Sequence, residues 1–391
     1  MMQAISAYTL EIDEPAAALK EIRAQLEGQL DPCGSTVGIL QCDPEFIESG
    51  VVAHLCGELN FPIIGGTCAG QATNAVAADF MLTLLVLTGD DVEFVSGRTL
   101  GLSEDLFGAT ARSYQEVSAG RTEQPKLIIA FPPIIEEFAG DWYVDAFERQ
   151  CGKAPVFGSL AVDDAITVYD RCATVLNGEI LKNEMAYLLV YGEVSPRFFI
   201  ATVPGESTLP EKGIITRAQD NIVYEINHMR AIDFFERVGL AENGVLRRGV
   251  DFVPFLMTVK SAAGEDERPF VRALIRFNDD GSATCRGAMY EGATFTIGSN
   301  AGADVLSSTG ETIARLNEER DVHAALLFSC IVRRMTLGAD SLRELKQIQS
   351  MIRPDIPFMA AYSGGEIAPT AVHADGAVNR FHNYSFIACL L

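Results

Sequence analysis

A proline-led run, Phe61-Pro62-Ile63-Ile64-Gly65-Gly66-Thr67-Cys68-Ala69-Gly70-Gln71, occurs three times in this chain with variations. The second copy is Ala154-Pro155-Val156-Phe157-Gly158-Ser159-Leu160-Ala161-Val162-Asp163, and the third is Ile356-Pro357-Phe358-Met359-Ala360-Ala361-Tyr362-Ser363-Gly364-Gly365-Glu366. A proline is tolerated where a strand begins, because its missing N–H need not interrupt a ladder there. Small residues after the apolar run allow a tight turn and a close approach to the backbone. The pattern predicts a short strand and a turn that the chain uses three times.

The flanks of each copy repeat as well. An apolar run precedes each copy at 36–42, 126–131 and 324–330, and another follows at 81–87, 186–191 and 385–391. A helical segment lies between the first run and the proline, and in the third copy Ser341 to Glu344 has the spacing of a capping box. Strand–helix–strand order favours a parallel pair, and the following strand can then pair antiparallel. The sequence therefore predicts repeated β-α-β units in mixed sheets.

The length of 391 residues favours two domains. The Pro- and Gly-rich stretch 204–213 is the predicted boundary, which gives domains at 1–205 and 214–391. Two copies of the unit precede this boundary and one follows it. Residues 214–217 and 221–225 are predicted strands, 228–238 a helix, and 251–298 an antiparallel meander. The predicted fold class is α/β to α+β, with two domains of mixed sheets and helices packed on the sheets.

Composition excludes several classes of partner and location. The formal net charge of −23 disfavours nucleic acid and anionic membranes as partners. No apolar run is long enough to span a bilayer, and the first residues lack the pattern of a signal peptide. The nine cysteines, an odd number, fall mostly within apolar runs, which is typical of a reducing compartment rather than of a disulfide framework. These features predict a cytoplasmic protein.

Several short motifs resemble one known family. Phe328-Ser329-Cys330-Ile331-Val332-Arg333, Tyr362-Ser363-Gly364-Gly365-Glu366-Ile367 and His382-Asn383 resemble the C-terminal half of FIST-domain proteins. Ile64-Gly65-Gly66-Thr67-Cys68-Ala69-Gly70 resembles the Gly-rich turn of the FIST N-terminal half, and Thr216-Arg217 with Asn221-Ile222-Val223-Tyr224-Glu225 resembles the strand pair between the halves. The resemblance covers roughly residues 30–391.

The resemblance implies a bacterial sensory protein that binds a small molecule, such as an amino acid, and is not an enzyme. Because the resemblance covers nearly the whole of the sequence, we expect no output domain of the kind that some FIST proteins have. We therefore expect it to act through a separate signalling protein, either a histidine kinase or a diguanylate cyclase, and to need no cofactor or metal.

The ligand is expected at the carboxyl ends of the parallel strands, where open α/β sheets bind their ligands. Turn N–H groups can hold an anion, Arg333 can grip a carboxylate with two hydrogen bonds, and Glu366, Gln71 or Asp163 can hold an ammonium group. The first and third turns are expected to face the ligand, and the middle turn to be structural. The predicted ligand-binding residues are Gly65, Gly66, Thr67, Cys68, Gln71, Ser329, Cys330, Arg333, Tyr362, Ser363, Gly364 and Glu366.

Three alternative functions remain open from the residues, and one of them is a scaffold that recruits a signalling enzyme through its acidic surface without any ligand. A haem-based nitric oxide sensor that partners a histidine kinase needs an axial ligand, for which His228 is the best candidate among five histidines. An enzyme with a cysteine nucleophile needs a thiol of lowered pKa, for which Cys330 beside Arg333 is the candidate. The sequence shows no Gly-x-Ser-x-Gly elbow, P-loop or metal-spaced cluster, which disfavours an enzyme.

Overall fold

The computed structural model of the chain describes residues 2–29, 34–135, 137–163, 170–202, 208–247, 253–260, 269–298, 301–373 and 378–391. Residues 203–207, in the predicted domain boundary, lie outside the described residues, and so does Cys33. The predicted division into 1–205 and 214–391 stays a prediction.

The first 98 residues contain one complete unit and the opening strand of the next. Their elements are β1 (Gln3–Thr9), α1 (Pro15–Leu26), β2 (Ser35–Cys42), α2 (Glu45–Glu48), α3 (Val51–Glu58), β3 (Ile63–Thr67), β4 (Gln71–Ala72), β5 (Ala77–Ala78), β6 (Leu82–Gly89) and β7 (Val92–Arg98).

The second unit continues to residue 192, and the strand β13 follows it. The elements are α4 (Leu106–Val117), β8 (Leu127–Phe131), α5 (Asp141–Cys151), β9 (Val156–Ser159), β10 (Thr174–Leu176), β11 (Glu179–Leu181), β12 (Ala186–Gly192) and β13 (Arg197–Ala201).

A mostly antiparallel segment then separates β13 from the third unit. Its elements are β14 (Thr208–Gln219), β15 (Ile222–Ile226), β16 (Met229–Arg230), α6 (Ala231–Arg237), β17 (Ala241–Glu242), β18 (Val245–Leu246), β19 (Pro254–Thr258), β20 (Phe270–Phe277), β21 (Ala283–Cys285) and β22 (Thr294–Gly298). The third unit has α7 (Gly302–Leu316), β23 (Ala325–Cys330), α8 (Ile331–Thr336), α9 (Arg343–Met351), β24 (Phe358–Ser363), β25 (Glu366–Pro369), β26 (Asn379–His382) and β27 (Phe386–Leu390).

The three units share one strand order. The proline-led strand pairs parallel with the preceding strand in each, as β2 with β3, β8 with β9, and β23 with β24. The strand that follows each turn pairs antiparallel, which gives the orders β1-β6-β2-β3, β7-β12-β8-β9 and β13-β27-β23-β24. The predicted β-α-β units and mixed sheets are confirmed. The edge strands β1, β7 and β13 complete the repeat and were not predicted from the sequence.

Each unit also contributes a two-stranded hairpin to the sheet of a neighbouring unit. The hairpin β4-β5 pairs with β24, β25-β26 pairs with β9, and β10-β11 pairs with β3. Each of these three sheets therefore has six strands, four from one unit and two from another. The exchange runs in a closed cycle, so each unit receives a hairpin from one neighbour and contributes its own hairpin to the other.

The inner faces of the three sheets surround one apolar core. Side chains alternate between the faces of a strand, and in β2 the residues Val37 and Ile39 face this core whereas Leu40 faces the helices of its own unit. Inner positions of β8 and β23 belong to the same core, with Phe131 edge-on to Phe328 at a ring-centroid distance of 6.2 Å. The helices of each unit cover the outer face of its sheet. The three units thus form a three-sided prism with helices outside.

The segment 208–298 forms a separate barrel. Its strands pair in the order β14-β22-β19-β20-β21-β15, and β15 pairs with β14 to close the ring. Aromatic side chains such as Phe235, Phe255 and Phe295 fill the interior and leave a cavity of only about 10 Å³. The predicted strand pair is confirmed as part of this barrel. The described residues of 251–298 form antiparallel strands as predicted, but not a meander, because β22 pairs with β19 and β14 rather than with β21 before it. Residues 251–252 and 261–268 of the predicted meander lie outside the described residues.

Two local predictions are wrong. The helix predicted at 228–238 begins at Ala231, because His228 has a φ of +62° in the turn between β15 and β16. The capping box predicted at Ser341 to Glu344 does not form, since α9 begins at Arg343 without a side-chain cap and Glu344 is fully buried. Within the described ranges, no helix is both long and apolar enough to cross a bilayer.

Candidate functional site

The three small-residue turns meet at the carboxyl end of the prism and hydrogen-bond to one another. The N–H of Val162 donates to the carbonyl of Thr67 at 3.0 Å, which joins the second turn to the first. The N–H of Leu160 donates to the carbonyl of Gly365 at 2.9 Å, and the N–H of Gly364 donates to the carbonyl of Leu160 at 3.0 Å. These two hydrogen bonds join the second turn to the third. The structure therefore brings the three turns together, and several of their N–H groups serve this junction.

Two of the glycines are explained by strand packing. A Cβ atom at Gly65 would collide with the carbonyl of Leu40, and a Cβ at Gly158 would collide with the carbonyl of Ala130. These glycines let the parallel strands lie close, since only glycine lacks the Cβ. Their ligand contact, predicted for Gly65 and its neighbours, stays a prediction.

The first residues of the three exchanged hairpins occupy equivalent places. By strand register, Gln71 lies opposite Ala361, Thr174 opposite Gly66, and Glu366 opposite Ser159. Directly opposed residues in antiparallel strands share a face, and Ala361 belongs to the central core. The trio Gln71, Thr174 and Glu366 is fully buried. The counterpart of Glu366 in the middle unit is therefore Thr174, which was not predicted from the sequence.

Glu366 is the ionisable member of this trio. Its side chain is 0% exposed, and the hydroxyls of Ser363 and Ser385 donate to its two carboxyl oxygens at 2.8 and 2.7 Å. Burial raises the pKa of Glu366 to about 8, against the opposing effect of the two hydroxyls and the charge of Arg333. A carboxyl group with a pKa this far from its ordinary value is a candidate for a functional role.

The equivalent place in the first unit holds a neutral amide. The Thr83 hydroxyl donates to Oε1 of Gln71 at 3.0 Å, and Nε2 of Gln71 donates to the carbonyl of Met81. The amide of Gln71 therefore already has partners at both ends.

Asp163, predicted with Gln71 and Glu366 as a possible partner for a ligand ammonium group, does not occupy a place equivalent to theirs. It is buried, and its carboxylate is 3.7 Å from the guanidinium of Arg171. Arg171 also contacts two acidic side chains of α2, Glu45 and Glu48, at 2.7 and 2.8 Å. Asp163 thus belongs to an ion-pair group between the first and second units.

A second polar side chain on the inner face was also missed. Gln41 follows Val37 and Ile39 in the alternation of β2, which places it on the face of the central core. It is 1% exposed, and its Nε2 has no hydrogen-bond partner among the described residues. A buried amide donor without a partner is costly and calls for an explanation. The sequence carried a signal for this residue, because a polar glutamine follows the apolar Val37 and Ile39 at alternate positions of the same strand.

Arg333 is buried in an ion pair with Glu344. The Nε and Nη2 atoms of Arg333 lie 3.1 and 2.8 Å from Oε1 of Glu344, and Arg333 is 1% exposed. Ser329 donates to the other carboxylate oxygen at 2.8 Å, and Thr309 lies 2.7 Å from Nη2 of Arg333. The guanidinium expected to hold a ligand carboxylate thus holds a carboxylate of the chain itself, and its role in ligand binding stays a prediction.

Glu344 was missed because it was assigned to a helix cap. It lies four residues before Ile348 and therefore on the apolar stripe of α9. This spacing was the signal in the sequence that Glu344 would be buried. A charged residue on a buried stripe needs a partner, since an unpaired buried charge is costly.

The cysteines near the turns are buried. Burial raises the pKa of the Cys68 thiol and of the Cys330 thiol, and the nearby Glu366 carboxyl acts in the same direction on Cys330. A reactive thiol needs a lowered pKa, so these environments favour small packed side chains over nucleophiles. Tyr362 is fixed by a hydrogen bond from its hydroxyl to the carbonyl of Ser341 at 3.0 Å.

The barrel docks beside this end of the prism through a buried ion pair. Arg272 of β20 lies 2.8 and 2.9 Å from the two carboxylate oxygens of Asp141, at the start of α5, and is 0% exposed. Val271 packs against Tyr384, which directly precedes Ser385. The barrel therefore contributes to the closure of the site around Glu366.

The described residues show no group of histidine, cysteine and acidic side chains arranged to hold a metal ion. His228, the candidate haem ligand, lies exposed in the turn between β15 and β16, where its N–H donates to the hydroxyl of Thr216 at 3.0 Å.

Comparisons with known proteins agree with the resemblance in the motifs. The model of the FIST N domain matches residues 36–229, and that of the FIST C domain matches residues 231–369. No curated protein matches the chain.

Among solved structures, the cyanuric acid hydrolase from A. caulinodans is 9% identical with a TM-score of 0.34, and the alignment covers 100% of this chain and 99% of that one. PurLQS from Thermotoga maritima is 10% identical with a TM-score of 0.19 over 100% of this chain and 71% of that one. Likenesses this low carry no argument on fold or activity. The two domain models span most of the sequence, and the chain therefore belongs to the FIST family, whose domains sense small ligands in signal-transduction proteins.

Proposed function

We propose that this protein is a cytoplasmic sensor for a small, amino-acid-like ligand, whose ammonium group is bound by Glu366. The observation that supports this best is the buried Glu366 carboxyl, which receives two hydroxyl donors and has no hydrogen-bonded cation among the described residues. A ligand ammonium at hydrogen-bond distance would favour the ionised carboxylate, since an opposite charge lowers the pKa of a buried acid.

Gln41 is the second element of the proposed site. Its Nε2 donor lies on the same inner face of the prism as the trio and lacks a partner among the described residues. A ligand carboxylate or carbonyl oxygen would satisfy that donor. An ammonium for Glu366 and an acceptor for Gln41 are the two polar ends of an amino acid.

Signal output is assigned to a separate protein, a histidine kinase or a diguanylate cyclase. The site is enclosed by all three units and by the barrel, so a ligand bound there would alter the packing between these parts. If the ligand binds one packing arrangement of the units and the barrel better than another, it shifts the population toward that arrangement. The surface that a partner recognises can then change.

The experiment is a thermal-shift screen of free amino acids, the matching amines, and the matching carboxylic acids that lack the ammonium group. A hit should need the ammonium group and should be lost in Glu366→Gln, which keeps the shape of the side chain. A ligand that stabilises Glu366→Gln as much as the wild type, or an acid without an amine that binds equally well, would refute the assignment of Glu366.

The Gln41→Met variant should be more stable than the wild type without ligand and unable to respond to ligand. Removal of a buried donor that has no partner should raise the free energy of unfolding by about 1 kcal/mol, while the ligand loses its donor. Urea unfolding with and without the ligand measures both effects. Gln29→Met, at an exposed glutamine, is the matched control. A loss of stability in Gln41→Met would mean that the amide is satisfied in the protein.

A further inference from the structure

The barrel strand β20 lies along residues 380–385, which comprise the end of β26 and the connection to β27. We call these residues the 380–385 segment. Nη1 of Arg272 donates to the carbonyl of Phe381 at 2.7 Å, and the N–H of Ala273 donates to Oδ1 of Asn383 at 3.3 Å. The barrel therefore holds the segment through hydrogen bonds from two neighbouring residues of β20.

Tyr384 gives this contact an apolar centre. Its side chain packs against Val271 of β20, and both residues are fully buried. The backbone of Tyr384 has a φ of +55°, in the left-handed region that a bulky residue occupies only where its surroundings fix it. The contact with the barrel is one of the interactions that hold Tyr384 in this conformation.

Ser385, the next residue, links the segment to the proposed ligand site. Its hydroxyl donates to Oε2 of Glu366 at 2.7 Å, and both residues are 0% exposed. A ligand ammonium can therefore reach Glu366 only if a neighbouring part of the chain moves. Residues 383–385 lie outside β26 and β27, so their movement disrupts neither strand.

We propose that docking of the barrel regulates the Glu366 site through the 380–385 segment. In the docked arrangement β20 fixes the segment, and Tyr384 and Ser385 exclude water and ligand from Glu366. Release of β20 frees the segment and opens the site. Because coupling between two equilibria is reciprocal, a ligand that binds at Glu366 favours release of the barrel by the same factor. The position of the barrel is then the output that a separate protein recognises.

This proposal rests on the proposed function for the nature of the ligand, but the ionisation of Glu366 reports the coupling without any ligand. Burial is the main cause of the raised pKa of Glu366, so water that enters on release of the barrel should lower that pKa. Arg333 of α8, Cys330 of β23 and His382 of β26 also lie near this carboxyl. The measurement therefore has to observe the Glu366 carboxyl itself.

NMR titration of the Glu366 carboxyl carbon in the full chain tests the proposal, with Glu366→Gln used to assign the signal. Val271→Asn places an amide against Tyr384 and disfavours docking, since a buried amide without a partner is costly. The measured pKa of Glu366 should fall by about one unit or more in this variant. Val245→Asn, at an exposed valine of the barrel segment, is the matched control and should leave the pKa unchanged. An unchanged pKa in Val271→Asn, or an equal fall in both variants, would overturn the proposal.

Hydrogen exchange on the wild type tests the reverse direction and does not depend on the folding of Val271→Asn. Between pH 6 and pH 9, ionisation of Glu366 should lower the protection factor of the Ala273 amide by about tenfold or more. The Cys285 amide, which donates to Asn221 within the barrel at 2.8 Å, should keep its protection.

The Glu366→Gln variant should abolish the pH-dependent change at Ala273. Equal protection of the Ala273 amide at both pH values, or a change that persists in Glu366→Gln, would refute the coupling. A failed amino-acid screen would refute the ligand and leave this coupling intact, so the two failures are distinguishable.

Discussion

Replacement of Arg333 by methionine should lower the free energy of unfolding by about 3–5 kcal/mol. The substitution leaves the carboxylate of Glu344 buried without its counter-charge, although Ser329 still donates to it. Urea unfolding near neutral pH measures the effect. The loss of stability exceeds that expected for an ion pair on the surface, because neither partner has access to water. Arg333 is 1% exposed and Glu344 is 0% exposed.

The adjacent arginine is the matched control for this prediction. Arg334 pairs with Asp79 at 2.9 Å but remains partly exposed, so Arg334→Met should cost about 1 kcal/mol or less. The double variant Arg333→Met, Glu344→Gln should recover part of the loss, because it removes the unpaired charge and keeps an acceptor for Ser329. Equal losses in the two arginine variants would contradict the structural role that the geometry gives Arg333. Loss of ligand binding in Arg333→Met without loss of stability would instead support the role predicted from the sequence.

The stability of the protein should fall as the pH rises from about 4.5 to about 8, with Glu366 as the cause. The pKa of Glu366 is raised to about 8 in the folded state from an ordinary value of 4.5, so the folded protein retains a proton that the unfolded chain releases. The contribution is complete below the unfolded pKa and is lost as the pH approaches the folded pKa. At 1.36 kcal/mol for each pKa unit, the expected loss is about 4 kcal/mol.

The Glu366→Gln variant isolates this effect, since the amide does not titrate. The difference in the free energy of unfolding between wild type and variant should shift by about 4 kcal/mol in favour of the variant between pH 5 and pH 9. Glu123→Gln, at an exposed glutamate, controls for the loss of one acidic residue. Parallel pH profiles for the wild type and Glu366→Gln would show that the carboxyl is not desolvated in the folded protein. A ligand ammonium bound to Glu366 should flatten the wild-type profile.

The repeated units could be predicted because their signals are local. The runs around Ile39, Ile129 and Leu326 are short, apolar and followed by helical segments, and the structure confirms each as the parallel partner of a proline-led strand. The FIST resemblance also rested on short motifs, and the two domain models confirm it.

The candidate site was only partly predictable from the sequence. Glu366, Gln71 and the three turns were identified, and the structure gathers them at one end of the prism. Thr174 was missed because its place depends on pairing with a distant part of the chain, and Gln41 because only the packed molecule leaves its amide buried without a partner among the described residues. Glu344 was missed because it was assigned to a helix cap. Thr174 lies opposite Gly66, which is more than 100 residues away, and the pair Arg333–Glu344 forms only where α8 and α9 pack on β23.

The sequence by itself determined that this chain repeats a strand–helix–strand unit and ends each unit in a small-residue turn, since proline, glycine and apolar spacing act on the local backbone. Only the tertiary structure decided that the units exchange hairpins and close around one core. That closure removes Glu366 from water and raises its pKa, and it leaves the Nε2 of Gln41 without a partner among the described residues. Desolvation and partner choice are properties of the packed molecule, because they depend on every segment that surrounds a side chain.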